Sequence, residues 1–484
     1  MENCKGGSHI RPRGVEDAAP YKPKGRTVGS ADVRPAAFPQ EPICLTREGR
    51  ACPASTVQSQ LKQEQKPSIM STTSKSKTMI EGPLAKQILL VSLPLALSNL
   101  LQILFNMSDV AVVGRFAGST ALGSVGSTAT FVTLFTGFLI GLSNGVNVLV
   151  ARFYGAGHPK DVSKTVHSAL LVSLAAGVLL LFVGLFGSPA LLELLNTKED
   201  LLPGAILYLR VYFLGMPALA LYNFGNAVFS AIGETKKPLY ILSFAGVLNI
   251  LLNLFFVIVF HMGVAGVAVA TVGSQAISAV ICILVMFRKY PNLMPKRHTL
   301  RPDMPVSLKI FGMGAQMALQ SLFLSVGMMV ITRVINGYGS NVVAAFTVGS
   351  NVQNLAVMLF SNFSFGFSVY VGQNFGAKNA ERIKLGVRQI FLLVGGLSFF
   401  AGVLTLIFAE PLVSLYVKPN ETEVIAYSLE FIRIQAWFFP FLGWIWLYNS
   451  TVKGMGKINI SMVSSVVELC SKIGLSLLLP IWIG

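Results

Sequence analysis

Residues 98–116 read SNLLQILFNMSDVAVVGRF, an apolar run that carries one carboxylate, Asp109. The run continues on both sides, from about 89 to 113, which is long enough to cross ~30 Å of hydrocarbon at ~1.5 Å per helical residue. Similar runs recur to the C-terminus, near 122–148, 166–186, 207–229, 239–260 and 264–287, and then 308–334, 342–371, 390–408, 427–448 and 460–481. Eleven spans are therefore expected. Composition agrees, because 53% of the 484 residues are hydrophobic and 12% are charged, far more apolar side chain than a soluble core of this size needs. The chain reads as an all-α membrane protein.

Basic residues orient the spans, since loops held in the cytoplasm keep Lys and Arg. One alternating set of loops holds seventeen of them, from Arg152, Lys160 and Lys164 through Lys236, Lys237, Arg288 and Lys289 to Lys453 and Lys457. The other set holds four, Arg115, Lys198, Arg333 and Lys418. This asymmetry predicts a cytoplasmic N-terminus and places Asp109 in the outward half of span 1. The formal charge of +17 then follows from loop topology and a basic tail, and no nucleic-acid partner is needed to explain it.

Residues 1–78 mix Pro, Gly, Ser and Gln without apolar periodicity, and read as a disordered tail carrying thirteen Lys or Arg and seven Asp or Glu. They lack the apolar core of a signal peptide, and their acids are foreign to a transit peptide. Cys282 and Cys470 fall in predicted helices, Cys4, Cys44 and Cys52 in the tail, and no cysteine or histidine spacing suggests a metal site. No nucleophile or phosphate-loop motif appears either, so neither an enzyme nor a metal or organic cofactor is expected.

The sequence also repeats itself. At an offset of 221 residues, FAGST at 116–120 falls on GYGSN at 337–341, FYGAG at 153–157 on NFGAK at 374–378, and IGETKKP at 232–238 on KGMGKIN at 453–459. YLRVYFLGMP at 208–217 matches FIRIQAWFFP at 431–440 with a two-residue shift. An even number of spans per repeat gives both copies the same orientation, so two six-helix lobes related by an axis along the membrane normal are expected. The lobes are placed at 79–290 and 308–484, with a proline-rich cytoplasmic linker at 291–307. The counterpart of span 6 would fall at 485–508, so a twelfth span is expected to be missing and the chain reads as truncated before it.

These motifs carry a resemblance. MIEGPLAKQILLVSLPLALSNLLQILFNMSDVAVVGRF at 79–116, YGAG at 154–157, YNFGNAVFSAIGETKKP at 222–238 and the matching second half resemble the multidrug and toxic compound extrusion (MATE) transporters of bacterial type. The resemblance implies a monomer in the bacterial inner membrane that exports organic, often cationic, small molecules in exchange for protons or sodium ions. A lipid-linked sugar flippase of the same superfamily and a nonfunctional fragment are the alternatives.

Asp109 shares a helical face with Gln102 and Asn106, at i, i+4 and i+7. An Asp facing lipid at mid-helix costs ~2.5 to 3.5 kcal/mol, so this stripe should face the lobe interior or water. Asn249 and Asn253 in LNILLN stand one turn apart on span 5, and Thr271 adds a hydroxyl on span 6. The resemblance implies that these three join Asp109 in ion coupling, although similar members carry an Asp where this chain has Asn253. Protonation or ion entry would toggle the charge of the one carboxylate. Pro94 resembles the bend-forming proline of the family's first helix. Asn223, Asn226, Gln316, Gln320 and Asn351 are expected, with Gln102 and Asn106, to line a substrate cavity. The position of Asp109 in the second repeat is Val330, and Glu468 and Lys472, four apart, are expected to neutralise each other.

Overall fold

A computed structural model describes residues 79–483 except 195, 196, 198, 292, 294–302, 415, 418 and 419. The predicted tail at 1–78 and most of the predicted linker lie outside the described residues. A chain that leaves no backbone group unpaired in hydrocarbon must be helical or form a closed barrel. Here it is helical, with no strand among the described residues.

The helices are α1 (Leu84–Val112), α2 (Ser119–Gly155), α3 (Pro159–Leu194), α4 (Leu202–Leu214), α5 (Met216–Ala231), α6 (Lys236–Leu254) and α7 (Gly263–Lys289). The second repeat contributes α8 (Met304–Ile335), α9 (Ser340–Gly376), α10 (Ala380–Ile407), a short α11 (Ala409–Ser414), α12 (Thr422–Gly454) and α13 (Ile458–Ile483). Helix α8 starts inside the stretch predicted as linker, because Asp303 caps it: its Oδ1 accepts from Val306 N at 3.2 Å and Pro305 fills the first turn.

Of the eleven expected spans, nine are single helices long and apolar enough to cross a membrane among the described residues. The tenth is broken: α4 and α5 meet at 47°, so the expected span over 207–229 is two helices. Gly215 causes the break by lying close to α7, where a β-carbon would stand 2.8 Å from Val272 Cγ2, while Pro217 starts α5 in its first turn. The eleventh, α12, has 33 residues but falls short of that apolarity, with Glu430, Arg433, Gln435 and Asn449 set among its apolar side chains. Pro94 sits inside a continuous α1, where Ser98 Oγ donates to its carbonyl at 2.8 Å.

The repeat is structural as well as sequential. Gly118 and Gly339 both adopt positive φ, 89° and 101°, and each opens a helix of 37 residues. The turns that follow those helices also match: Gly157 N bonds Tyr154 O as Lys378 N bonds Phe375 O. Further along, Gly233 N bonds Ser230 O as Gly456 N bonds Lys453 O, which sets the offset at 223 rather than the 221 read from IGETKKP and KGMGKIN.

The repeats meet through small residues. A β-carbon at Gly141 would lie 2.9 Å from Ala318 N, and one at Gly145 2.9 Å from Gly314 N, so α2 and α8 approach backbone to backbone. At the end bearing the basic loops the fit is tighter, with Gly155 against Gln373 and Gly376 against Arg152. Gln373, fully buried, accepts from Met79 N at 2.9 Å and donates to Ala231 O at 2.8 Å, tying the entry to α1, the end of α5 and α9 together.

Candidate functional site

The polar stripe of α1 leads into the first repeat. Gln102 and Asn106 are exposed, whereas Asp109, two turns from Gln102, is half-buried. Helix α6 packs on α1 and presents Asn249 and Asn253 from one face, both buried. Asn253 Nδ2 donates to Asp109 Oδ1 at 2.5 Å and lies 3.3 Å from Asn249 Oδ1. Asn249 Nδ2 in turn lies 3.4 Å from Thr271 Oγ1 on α7, and the Thr271 hydroxyl is also a partner of the Asp109 carboxylate. The four side chains predicted for ion coupling are therefore one cluster. It contains a single acid and no base, and Asn253 Oδ1 is buried without a donor.

Backbone irregularities border this cluster. A π turn, Val113–Ala117, ends α1 four residues after Asp109, and a second, Phe255–Val259, ends α6 two residues after Asn253. The two turns pack on each other. π turns are frequent at functional sites. Neither was visible in the sequence, whose apolar runs continue through both.

Aromatic neighbours were also missed. Tyr208 and Tyr212 stack at 6.0 Å between centroids on α4, close enough to interact electrostatically with Asp109. The Tyr212 hydroxyl reaches Thr136 Oγ1 at 3.4 Å and also pairs with Gln275. The break at Gly215 lets α7 bring Gln275 here: a β-carbon on Gly215 would stand 3.3 Å from Gln275 Oε1. A signal was present in the spacing of Tyr208 and Tyr212, one turn apart and one turn before a Gly-x-Pro.

The residues predicted to line a cavity do not form one group. Gln102, Asn106 and Asn351 are exposed, while Gln320 is buried with its Nε2 unpaired. Gln316 donates to Asn459 Oδ1 at 2.8 Å and so joins α8 to α13. Asn223 and Asn226 are half-buried on α5, Asn226 as a partner of Ser230 at 3.5 Å. Between the repeats the sequence reading missed a polar bridge, Asn99 Nδ2 to Asn362 Oδ1 at 2.6 Å. In the second repeat Glu468 and Lys472 pair on α13 at 2.7 Å, as their spacing predicted. Among the described residues no three His, Cys, Asp or Glu side chains converge as a metal site would require.

The MatE family model matches this chain twice, over residues 94–255 and 317–478, one match per structural repeat. The chain belongs to the MatE family. MatE proteins are multi-pass membrane transporters rather than enzymes, and this MatE protein has their two-repeat helical fold. It is 28% identical over 388 residues to the "Probable multidrug resistance protein YpnP" of Bacillus subtilis, covering 80% of this chain and 86% of that one. It is 23% identical over 404 residues to an "FAD transporter" of Shewanella oneidensis, covering 81% and 86%. Among solved structures, the "Outward-facing conformation of a multidrug resistance MATE family transporter of the MOP superfamily" superposes with a TM-score of 0.78 at 20% identity, covering 84% of this chain and 90% of that one.

Proposed function

We propose that this MatE protein exports organic, chiefly cationic, small molecules by antiport with protons or sodium ions, and that Asp109 is the coupling carboxylate. The observation that carries this reading is the cluster of Asp109, Asn249, Asn253 and Thr271, where one acid in apolar surroundings has only neutral partners. A buried charge without a counter-charge is the least stable member of its neighbourhood, so a proton or a small cation that neutralises it shifts the balance between conformations. Carboxylate, amide and hydroxyl oxygens also suit a hard cation, and Asn253 Oδ1 has a free lone pair for one. An organic cation drawn to the same negative field competes with that ion, which couples the two movements in opposite directions. The name of the Bacillus subtilis relative supports a drug as cargo.

The wider reading places the lobes at 79–290 and 308–484, the linker and the N-terminus in the cytoplasm, and the protein as a monomer in the bacterial inner membrane. The ties through Gln373, Met79 and Ala231 lie at the basic end, which supports a state closed toward the cytoplasm.

Reconstitution in liposomes with a fluorescent organic cation tests this, with proton and sodium gradients imposed one at a time. Wild type is expected to move the cation under one of them, and Asp109→Asn to lose that driven flux by roughly a hundredfold. Undiminished gradient-driven flux in the Asp109→Asn protein overturns the coupling role. Flux indifferent to both gradients overturns antiport itself.

A further inference from the structure

At the basic end, the α2–α3 turn, the start of α8 and the α9–α10 turn border an open cavity of about 480 Å³. It is lined by Arg152, Lys309, Lys378 and His158, and no acid lines it. The nearby acids are engaged with their own neighbours. Asp161 lies 3.2 Å from His158 Nδ1, and Glu381 lies 3.0 Å from Lys384 Nζ. Among the described residues none of Arg152, Lys309 and Lys378 has a carboxylate partner.

The rest of the lining is apolar. Leu149, Phe153, Phe375 and Ile383 form walls, and the Arg152 guanidinium lies over the Phe375 ring at 4.9 Å from its centroid. Arg152 is half-buried and held in place, while Lys309 and Lys378 are exposed and free to reach. Fixed and mobile cations above an apolar wall, at the depth where a helix leaves the bilayer, match an amphiphile that bears a phosphate. A free phosphate would use the cations and leave the walls idle.

The Lys378 backbone adds an independent mark. It adopts φ 56°, a left-handed conformation that its repeat counterpart, Gly157, reaches at φ 71° without a side chain to accommodate. The second repeat keeps a lysine at a position where glycine fits with less strain.

We infer that this cavity binds the phosphate of an anionic phospholipid, clamped between the two repeats by Arg152, Lys309 and Lys378. Because its walls come from both repeats, an occupied cavity tightens their contact at this end. The inference rests on the membrane-embedded fold and stands or falls apart from drug export.

Native mass spectrometry of the full chain, titrated with phosphatidylglycerol in a phosphatidylcholine background, reads the site directly. Removing two cations with Lys309→Gln plus Lys378→Gln is expected to weaken phosphatidylglycerol binding by roughly thirtyfold. Lys309→Arg plus Lys378→Arg, which keeps the charge, is expected to restore it and shows that the fold survives change at these positions. Lys236→Gln plus Lys289→Gln, which removes equal charge from the same end at exposed lysines outside the cavity, is expected to stay within about twofold. An equal loss in both glutamine pairs overturns a defined site in favour of diffuse surface charge. Displacement of the lipid by soluble glycerol phosphate at matched concentration overturns the lipid as ligand and leaves a soluble-anion site.

Discussion

The two repeats share one scaffold and treat charge in opposite ways. In the first, Asp109 reaches from α1 to α6 and α7, where its partners are the Asn253 amide and the Thr271 hydroxyl. In the second, the register set by Gly118 and Gly339 puts Val330 opposite Asp109, and the register set by Gly233 and Gly456 puts Lys472 opposite Asn249. Lys472 then finds its acid one turn away on the same helix, at Glu468. An acid matched within its own helix has little to gain from an incoming ion. One shared among three helices can gain a partner and move them, which is why the proposed coupling is assigned to the first repeat.

The largest expected effect tests that contrast. Against the roughly hundredfold loss expected for Asp109→Asn, replacing the pair together with Glu468→Gln and Lys472→Met is expected to leave gradient-driven flux within about twofold, since removing both members of an ion pair is often neutral. A large loss in the double replacement would move coupling to α13 and erase the asymmetry.

A smaller difference separates Asn253 from Ser476, its counterpart at the 223 offset. Asn253 donates to a carboxylate, whereas Ser476 Oγ donates to Ile473 O at 3.0 Å within its own helix. Asn253→Leu is expected to destabilise the folded protein by about 2 kcal/mol, the value of a hydrogen bond to a charged group. Ser476→Ala should fall within about 0.5 kcal/mol. Thermal unfolding in one detergent reads both, and equal shifts would deny the first repeat its special network.

Much of this was open to sequence reading, for identifiable reasons. Helical periodicity put Gln102, Asn106 and Asp109 on one face and Asn249 and Asn253 on another, while their meeting was implied by the resemblance to MATE transporters rather than by any local pattern. The glycine turns at Gly118 and Gly339 carried the repeat, because positive φ restricts the residue type. What escaped depends on contacts distant in sequence. Asn99 with Asn362, and Met79 with Gln373, pair across more than 250 positions, and no local pattern foretells them. The cavity set failed to group because an amide in a membrane helix can serve a neighbour as readily as a ligand, as Gln316 serves Asn459.

Pro217 and Pro440 mark the limit of local reading most sharply, since they occupy matching places in the aligned motifs and have different consequences. Pro217 lies in the first turn of α5, where its missing N–H has no partner to lose, and the 47° break belongs to Gly215. Pro440 lies inside a continuous α12, and the Ala436 carbonyl it leaves unpaired faces Gly402 of α10, whose β-carbon would come within 2.7 Å of it. Pro440→Ala is therefore expected to restore one helical hydrogen bond and stabilise the protein by about 1 kcal/mol. Pro217→Ala is expected to change stability by less than about 0.5 kcal/mol and to leave the break in place. Thermal unfolding measures the first pair of values, and a spin-label distance across Gly215 checks the break.

The smallest effect separates Lys378 from Gly157. Their turns have the same hydrogen bonds and nearly the same φ, 56° and 71°, so the lysine carries a strain that the glycine does not. Relief of left-handed strain, of order 1 to 2 kcal/mol, is partly offset by the added freedom of an unfolded glycine, of order 0.5 to 1 kcal/mol. Lys378→Gly is thus expected to stabilise the protein by about 0.5 kcal/mol in purely zwitterionic lipid. With phosphatidylglycerol present the sign should reverse, because the bound lipid stabilises the chain that keeps Lys378 more than the chain that lacks it. Thermal unfolding in the two lipids separates the possibilities. A gain of equal size in both would mean that the lysine is tolerated in this turn rather than used there, and the two turns would then differ only in strain.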